Sequence, residues 1–105
     1  MSTREYFHPE TKDLSLHRIL FALSDPTRLA IVSELLTLTE SAFGDLLHGG
    51  VPKSTLSHHL KILREAGIIQ ASSEGMSCLV SLRLDDLDVR FPGLLETVMS
   101  HNPAA

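Results

Sequence analysis

The stretch from Lys53 to Ala66 constrains this chain more than any other. Leu56, Leu60 and Leu63 recur at i, i+4 and i+7 and so share one helical face. At about 100° per residue, Ser54, His58 and Lys61 fall on the opposite face, with Thr55 and Ser57 on its flanks. Gly67 is a suitable C-terminal stop. After it the period changes from helical to alternating. Cys78, Val80, Leu82 and Leu84 alternate with Ser77, Ser81 and Arg83, the pattern of a strand with one buried face. Ile68-Ile69-Gln70-Ala71 supplies the partner strand and Ser72-Ser73-Glu74-Gly75 the hairpin turn. A two-faced helix followed directly by a hairpin leaves few architectures open.

The remaining segments narrow them further. Leu16, Ile19, Leu20 and Leu23 lie at i, i+3, i+4 and i+7 and predict a first helix, with Asp13 as its cap. Ser24-Asp25-Pro26 ends that helix and starts the next, because Pro suits the first helical position and Asp accepts from orphan N–H groups. The second helix carries Leu29, Val32 and Leu36 on one stripe, with Ile31 and Leu35 beside it. Thr39-Glu40-Ser41 reads as a polar break, and Phe43, Leu46 and Leu47 as a third, short helix. His48-Gly49-Gly50-Val51-Pro52 is a tight turn rich in breakers. Past the hairpin, the chain from Asp85 reads as polar. Pro92 then opens a last helix with Leu94, Leu95, Val98 and Met99 on its apolar side. The expected fold is mainly α with a small antiparallel β-hairpin, in the order α-α-α-α-β-β-α. The 105 residues make one domain over 13–100, with a flexible arm at 1–12 and a disordered tail at 101–105.

Composition excludes several classes of function. The net charge of −4 argues against nucleic-acid binding by bulk attraction, so any such binding rests on a local cationic face. The one cysteine, Cys78, cannot form an internal disulfide or make a thiolate metal site alone, which points to a reducing compartment. No apolar run approaches the roughly 20 residues that span a bilayer. The N-terminus lacks the apolar stretch of a signal peptide, so the expected location is the cytoplasm, without a membrane partner. Neither a strand–nucleophile–helix elbow nor a paired acid–base spacing supports an enzyme.

A short helix, a turn containing Gly and a longer helix with small polar residues outward make a helix-turn-helix, and the following hairpin makes it winged. Short side chains let such a helix sit deep in the major groove of double-stranded DNA. The expected contacts are Ser54, Thr55, Ser57 and His58 to base edges and backbone, and Lys53 and Lys61 to phosphates. Two stretches then carry a family resemblance. Ala22-Leu23-Ser24-Asp25-Pro26-Thr27-Arg28-Leu29-Ala30-Ile31 and, more specifically, Ser54-Thr55-Leu56-Ser57-His58-His59-Leu60-Lys61-Ile62-Leu63-Arg64-Glu65-Ala66-Gly67 resemble the ArsR/SmtB family of bacterial winged-helix transcriptional regulators. The resemblance runs from about residue 13 to 100. It implies a homodimer, built through the first and last helices, that binds a partly palindromic operator and represses transcription. Leu16, Leu20, Leu94, Leu95 and Val98 are the interface residues expected on those helices.

The chain departs from the family at several positions. Ala42 and Gly44 stand where metal-sensing members carry thiols, and no histidine lies between residues 60 and 100 for the other common metal site. No cofactor or metal is therefore expected, and the inducer is not legible. The wing tip Glu74-Gly75-Met76-Ser77 lacks the Arg or Lys of many relatives, and Pro52 stands where a Ser cap is common. The adjacent His58 and His59 point about 100° apart and cannot chelate one ion, so His59 reads as a flank or packing residue. Arg28 reads as an anchor for local carboxylates, and Arg64 is as well suited to Glu65 or Asp45 as to DNA. Cys78 reads as a buried structural thiol, and His17 and His101 as surface histidines. Two alternatives stay open: an interaction module of the same fold that has lost operator binding, and a repressor that senses a metal or oxidant through an atypical site.

Overall fold

The computed structural model describes residues 6–75 and 77–102, so residues 1–5 of the expected arm and 103–105 of the expected tail lie outside it. The expected mainly helical architecture with a small antiparallel sheet is what the chain forms. Helix α1 spans Leu16–Ala22 and α2 spans Pro26–Leu38. Asp25 caps α2 as its sequence suggested, with Oδ2 accepting from the N–H groups of Thr27 at 2.8 Å and Arg28 at 3.1 Å. Asp13 does not cap α1. It closes a short 3-10 turn at Thr11–Asp13, and Ser15 takes the cap position without a side-chain bond. Within α2 the buried stripe is Ile31, Val32 and Leu35, while Leu29 is half-buried and Leu36 is exposed. The inward face is thus turned from the expected one because Arg28, one turn earlier, is also drawn inside.

Two segments differ from the sequence reading. Glu40–Ala42, expected as a break, forms strand β1 and pairs antiparallel with β3 (Ser77–Leu82) through Glu40↔Ser81, Ser41↔Val80 and Ala42↔Leu79. Strand β2 (Ile69–Glu74) pairs with the other side of β3, giving a three-stranded sheet in the order β1-β3-β2. The expected third helix is instead a 3-10 segment, Phe43–Gly49, kinked where Leu47 and His48 take φ of 54° and 57°. Glu34 steadies the kink by accepting from the Leu47 N–H at 3.1 Å. Leu46 still reaches the core, fully buried.

Helix α3, Lys53–Glu65, ends at Gly67 as expected. Gly67 adopts φ +87°, and the Ile68 N–H returns to the Leu63 carbonyl at 3.0 Å, a closure that suits the left-handed backbone of glycine. Strand β3 stops at Leu82 rather than Leu84. The polar stretch after it is a further helix, α4 (Leu84–Arg90), with Asp85 and Asp86 in its first turn, where the helix dipole favours them. Helix α5 starts at Leu94, after a left-handed Gly93 with φ 78°, and not at Pro92. The core is built from Ile19, Ile31, Leu35, Leu46, Leu63, Ile68, Ile69 and Val80, all essentially inaccessible, so it lies between α1–α3 and the sheet.

Candidate nucleic-acid interface

Two opposed faces of α3 define the site. Leu56, Leu60 and Leu63 are buried in the core and fix the helix, while Lys53, Ser54, Thr55, Ser57, His58 and Lys61 are all exposed. The structure thus leaves all six expected contact residues open to solvent. Pro52 precedes the helix without a side-chain cap bond, and the Leu56 N–H already returns to its carbonyl at 2.9 Å. Helix α3 therefore starts at Lys53, and its first-turn N–H groups lie beside the exposed Lys53, Ser54 and Thr55.

His58 and His59 diverge, with ring centroids 5.9 Å apart and planes tilted by 53°. His59 turns inward, its Nδ1 3.1 Å from Arg28 Nη1 and 3.9 Å from Asp25 Oδ2. A guanidinium can only donate, so Nδ1 accepts here and the ring proton belongs on Nε2. Arg28 is 6% exposed and caps the end of α1, donating from Nε to the Ala22 carbonyl at 2.6 Å and from Nη2 to that of Phe21 at 3.4 Å. It anchors carbonyls rather than the carboxylates expected from sequence. Together Arg28 and His59 lock α3 against the α1–α2 corner, so the orientation of the exposed face is set from behind.

The wing is β2, β3 and the turn at Gly75, whose φ is +61°. Residues 69–82 contain no Lys or Arg, so the positive charge of this side sits on α3. Cys78 is half-buried, more open than a core thiol. Arg64 reaches neither Glu65 nor Asp45. Its Nε donates to the Phe7 carbonyl at 3.1 Å and its guanidinium lies 5.2 Å from the Tyr6 ring centroid. Away from this side, Leu16 and Leu20 on α1 are each 46% exposed, and Leu94, Leu95 and Val98 on α5 are half-buried. Leu16 and Leu94 share one hollow of about 400 Å³, so α1 and α5 present a joint apolar surface. His17 and His101 are both exposed, and among the described residues no group of three or more His, Cys, Asp or Glu is gathered as for a metal.

Known proteins agree with this geometry. Residues 23–70 match the family model of a helix-turn-helix domain. The chain is 39% identical over 83 residues to YceK, an uncharacterized HTH-type transcriptional regulator of Bacillus subtilis, covering 77% of this chain and 83% of that one. The chain belongs to the HTH-type transcriptional regulators, consistent with a winged helix of the ArsR/SmtB type. The regulator is also 35% identical over 68 residues to the transcriptional repressor SdpR of Bacillus subtilis, covering 64% of this chain and 74% of that one. Among solved structures, a possible transcriptional regulatory protein from Mycobacterium bovis superposes with a TM-score of 0.65 at 26% identity, covering 82% of this chain and 91% of that one. An ArsR family transcriptional regulator gives the same TM-score of 0.65 at 21% identity, over 79% and 91% of the two chains, a likeness of fold. These relatives are regulators, not enzymes.

Proposed function

We propose that the regulator is a cytoplasmic homodimer that binds a partly palindromic operator and represses transcription, released by a signal other than a metal at the family's familiar sites. The observation that carries this reading is the one-sidedness of α3: three leucines hold it in the core while six small, polar or cationic residues stand free. Ser54, Thr55, Ser57 and His58 serve bases and backbone from the half of the helix that enters the groove, and Lys53 and Lys61 neutralise flanking phosphates. The exposed leucines of α1 beside α5 support the dimer. The likeness to SdpR, a transcriptional repressor, supports repression. Ala42 and Gly44 at the thiol positions support a non-metal trigger.

The net charge of −4 and the wing without cations favour a second reading, an interaction module that no longer binds DNA. Selection of duplexes from a random-sequence library by the wild-type protein separates the two. The operator reading expects an enriched palindrome whose half-sites lie about one helical turn apart. Absence of any enriched sequence contradicts it and favours the interaction module.

A further inference from the structure

Residues 6–11 precede the helix-turn-helix, yet they are stitched to it. Thr11 Oγ1 donates to Asp86 Oδ1 at 2.8 Å, and Arg83 Nη1 donates to the Pro9 carbonyl at 2.7 Å. His8 Nε2 accepts from the Ala71 N–H at 3.0 Å, and the Phe7 carbonyl accepts from Arg64 Nε at 3.1 Å. The Tyr6 hydroxyl donates to Cys78 Sγ at 3.4 Å while its ring lies under the Arg64 guanidinium. The expected loose arm is therefore not loose over 6–12.

The partners alternate between the two parts of the DNA-facing side. Ala71 and Cys78 belong to the wing, and Arg64 belongs to α3. Strand β2 is an outer strand of the sheet, and the amide that such an edge offers outward is taken here by His8. Tyr6 closes one wall of a hollow of about 460 Å³ between helix and wing, whose other walls include Ser57, Lys61 and Cys78. Ser57 and Lys61 are residues of the exposed reading face. Arg64 spends its charge on the Phe7 carbonyl and the Tyr6 ring, which distinguishes it from the free Lys53 and Lys61.

We propose that Tyr6–Pro9 is a strap that sets the angle between wing and recognition helix, with Tyr6 and Arg64 as positioning residues for operator discrimination. The proposal rests on the operator-binding reading above. The inner half of the wing is held by buried Ile69, Val80 and Leu82 and by the pairing of β3 with β1 as far as Leu79, so the outer half beyond Leu79 is the part free to tilt. The tie at Cys78, opposite Ser73, lies in that outer half, and the tie at Ala71, level with Val80, fixes the outer edge of β2.

The test compares wild type with Tyr6→Phe, Cys78→Ala, their double variant and Tyr6→Ala, using the library-selected duplex and a scrambled one. Tyr6→Phe and Cys78→Ala remove the same hydrogen bond, so each should weaken binding to the selected duplex by about threefold, and the double variant by no more. Tyr6→Ala also removes the ring under Arg64 and should cost about tenfold. Affinity for the scrambled duplex and the salt slope should not move, because no phosphate contact is lost. In the free protein, His8→Ala should speed hydrogen exchange at the Ala71 amide while circular dichroism stays unchanged. Wild-type discrimination in every variant, or unchanged Ala71 exchange, overturns the strap alone. A salt slope reduced by about one in Tyr6→Ala also overturns it, because it assigns Arg64 directly to a phosphate. If the wild-type protein enriches no sequence, the operator reading fails and the strap's role fails with it.

Discussion

At the scale of single residues, Arg28 holds the corner on which the reading helix rests. Its guanidinium ties the end of α1 to His59 on α3 from a site with almost no water. Arg28→Met keeps the volume but leaves the Ala22 carbonyl and His59 Nδ1 without their donor. Such charged hydrogen bonds contribute about 1.5–3 kcal/mol each, and urea unfolding should show a loss of about 2–4 kcal/mol; a loss below about 0.5 would contradict the assignment. Acid stability follows from two carboxylates. Burial opposes ionisation of Asp25, but the backbone N–H of Arg28, its charge, His59 and the Thr27 N–H outweigh it and hold the carboxyl below 3.8. The Thr11 hydroxyl and Arg83 do the same for Asp86. A lowered carboxyl pKa adds stability that is present above the unfolded value and lost as pH falls through the folded one. Stability should therefore fall steeply below about pH 4, and Asp25→Asn with Asp86→Asn should flatten that limb in a pH series of urea melts. His8 is also lowered, by burial and then by the charges of Arg64 and Arg83, against the Tyr6 backbone bond. Its contribution is full above 6.5 and is lost as pH falls below that value. Faster Ala71 exchange on acidification, absent in His8→Ala, checks this sign.

At the scale of elements, legibility depended on length and period. Helix α3 and the hairpin were readable because thirteen residues of one period and two alternating strands each carry a strong pattern. The Asp25-Pro26 start and the Gly67 stop were readable because their chemistry is local. Strand β1 was not, since its three residues hold no period and exist as a strand only because β3 offers an edge. Helix α4 was hidden for a related reason: Leu87 is its one buried side chain, so no stripe announces it. The exposure of all six proposed contact residues was legible in the back-to-front pattern of α3. Arg28, Arg64 and the strap were not, because their partners lie far away in sequence. Gly67 gives the element-scale prediction. An added Cβ would collide with Leu14 Cδ2, itself buried, and would sit at positive φ. Gly67→Ala should cost about 2 kcal/mol or more in thermal or urea unfolding, whereas Gly75→Ala, with open space around it, should cost about 1.

At the scale of the whole molecule, an acidic chain that binds DNA depends on where its few exposed cations stand. Lys53 and Lys61 lie on α3, while exposed large apolar side chains stand on α1 (Leu16, Leu20, Phe21), α2 (Leu36, Leu38) and α4 (Leu84, Val89). The proposed reading face and the proposed dimer face on α1 therefore use different side chains. Leu16→Glu with Leu20→Glu should yield a folded monomer in sedimentation at micromolar concentration, because both positions are already half open to solvent. A dimer that survives both charges would contradict the α1–α5 interface. Zinc, cadmium or arsenite at equimolar amounts should leave the DNA complex intact, and release by any of them would contradict the proposed trigger. The central claim is that α3 reads DNA, and the most direct measurement is a salt series of binding isotherms for Lys61→Ala and His58→Ala on the selected and scrambled duplexes. Lys61→Ala should weaken both duplexes alike and lower the salt slope by about one. His58→Ala should weaken only the selected duplex, by about 1–3 kcal/mol, and relax discrimination there. Unchanged affinity and slope in both folded variants would contradict the claim.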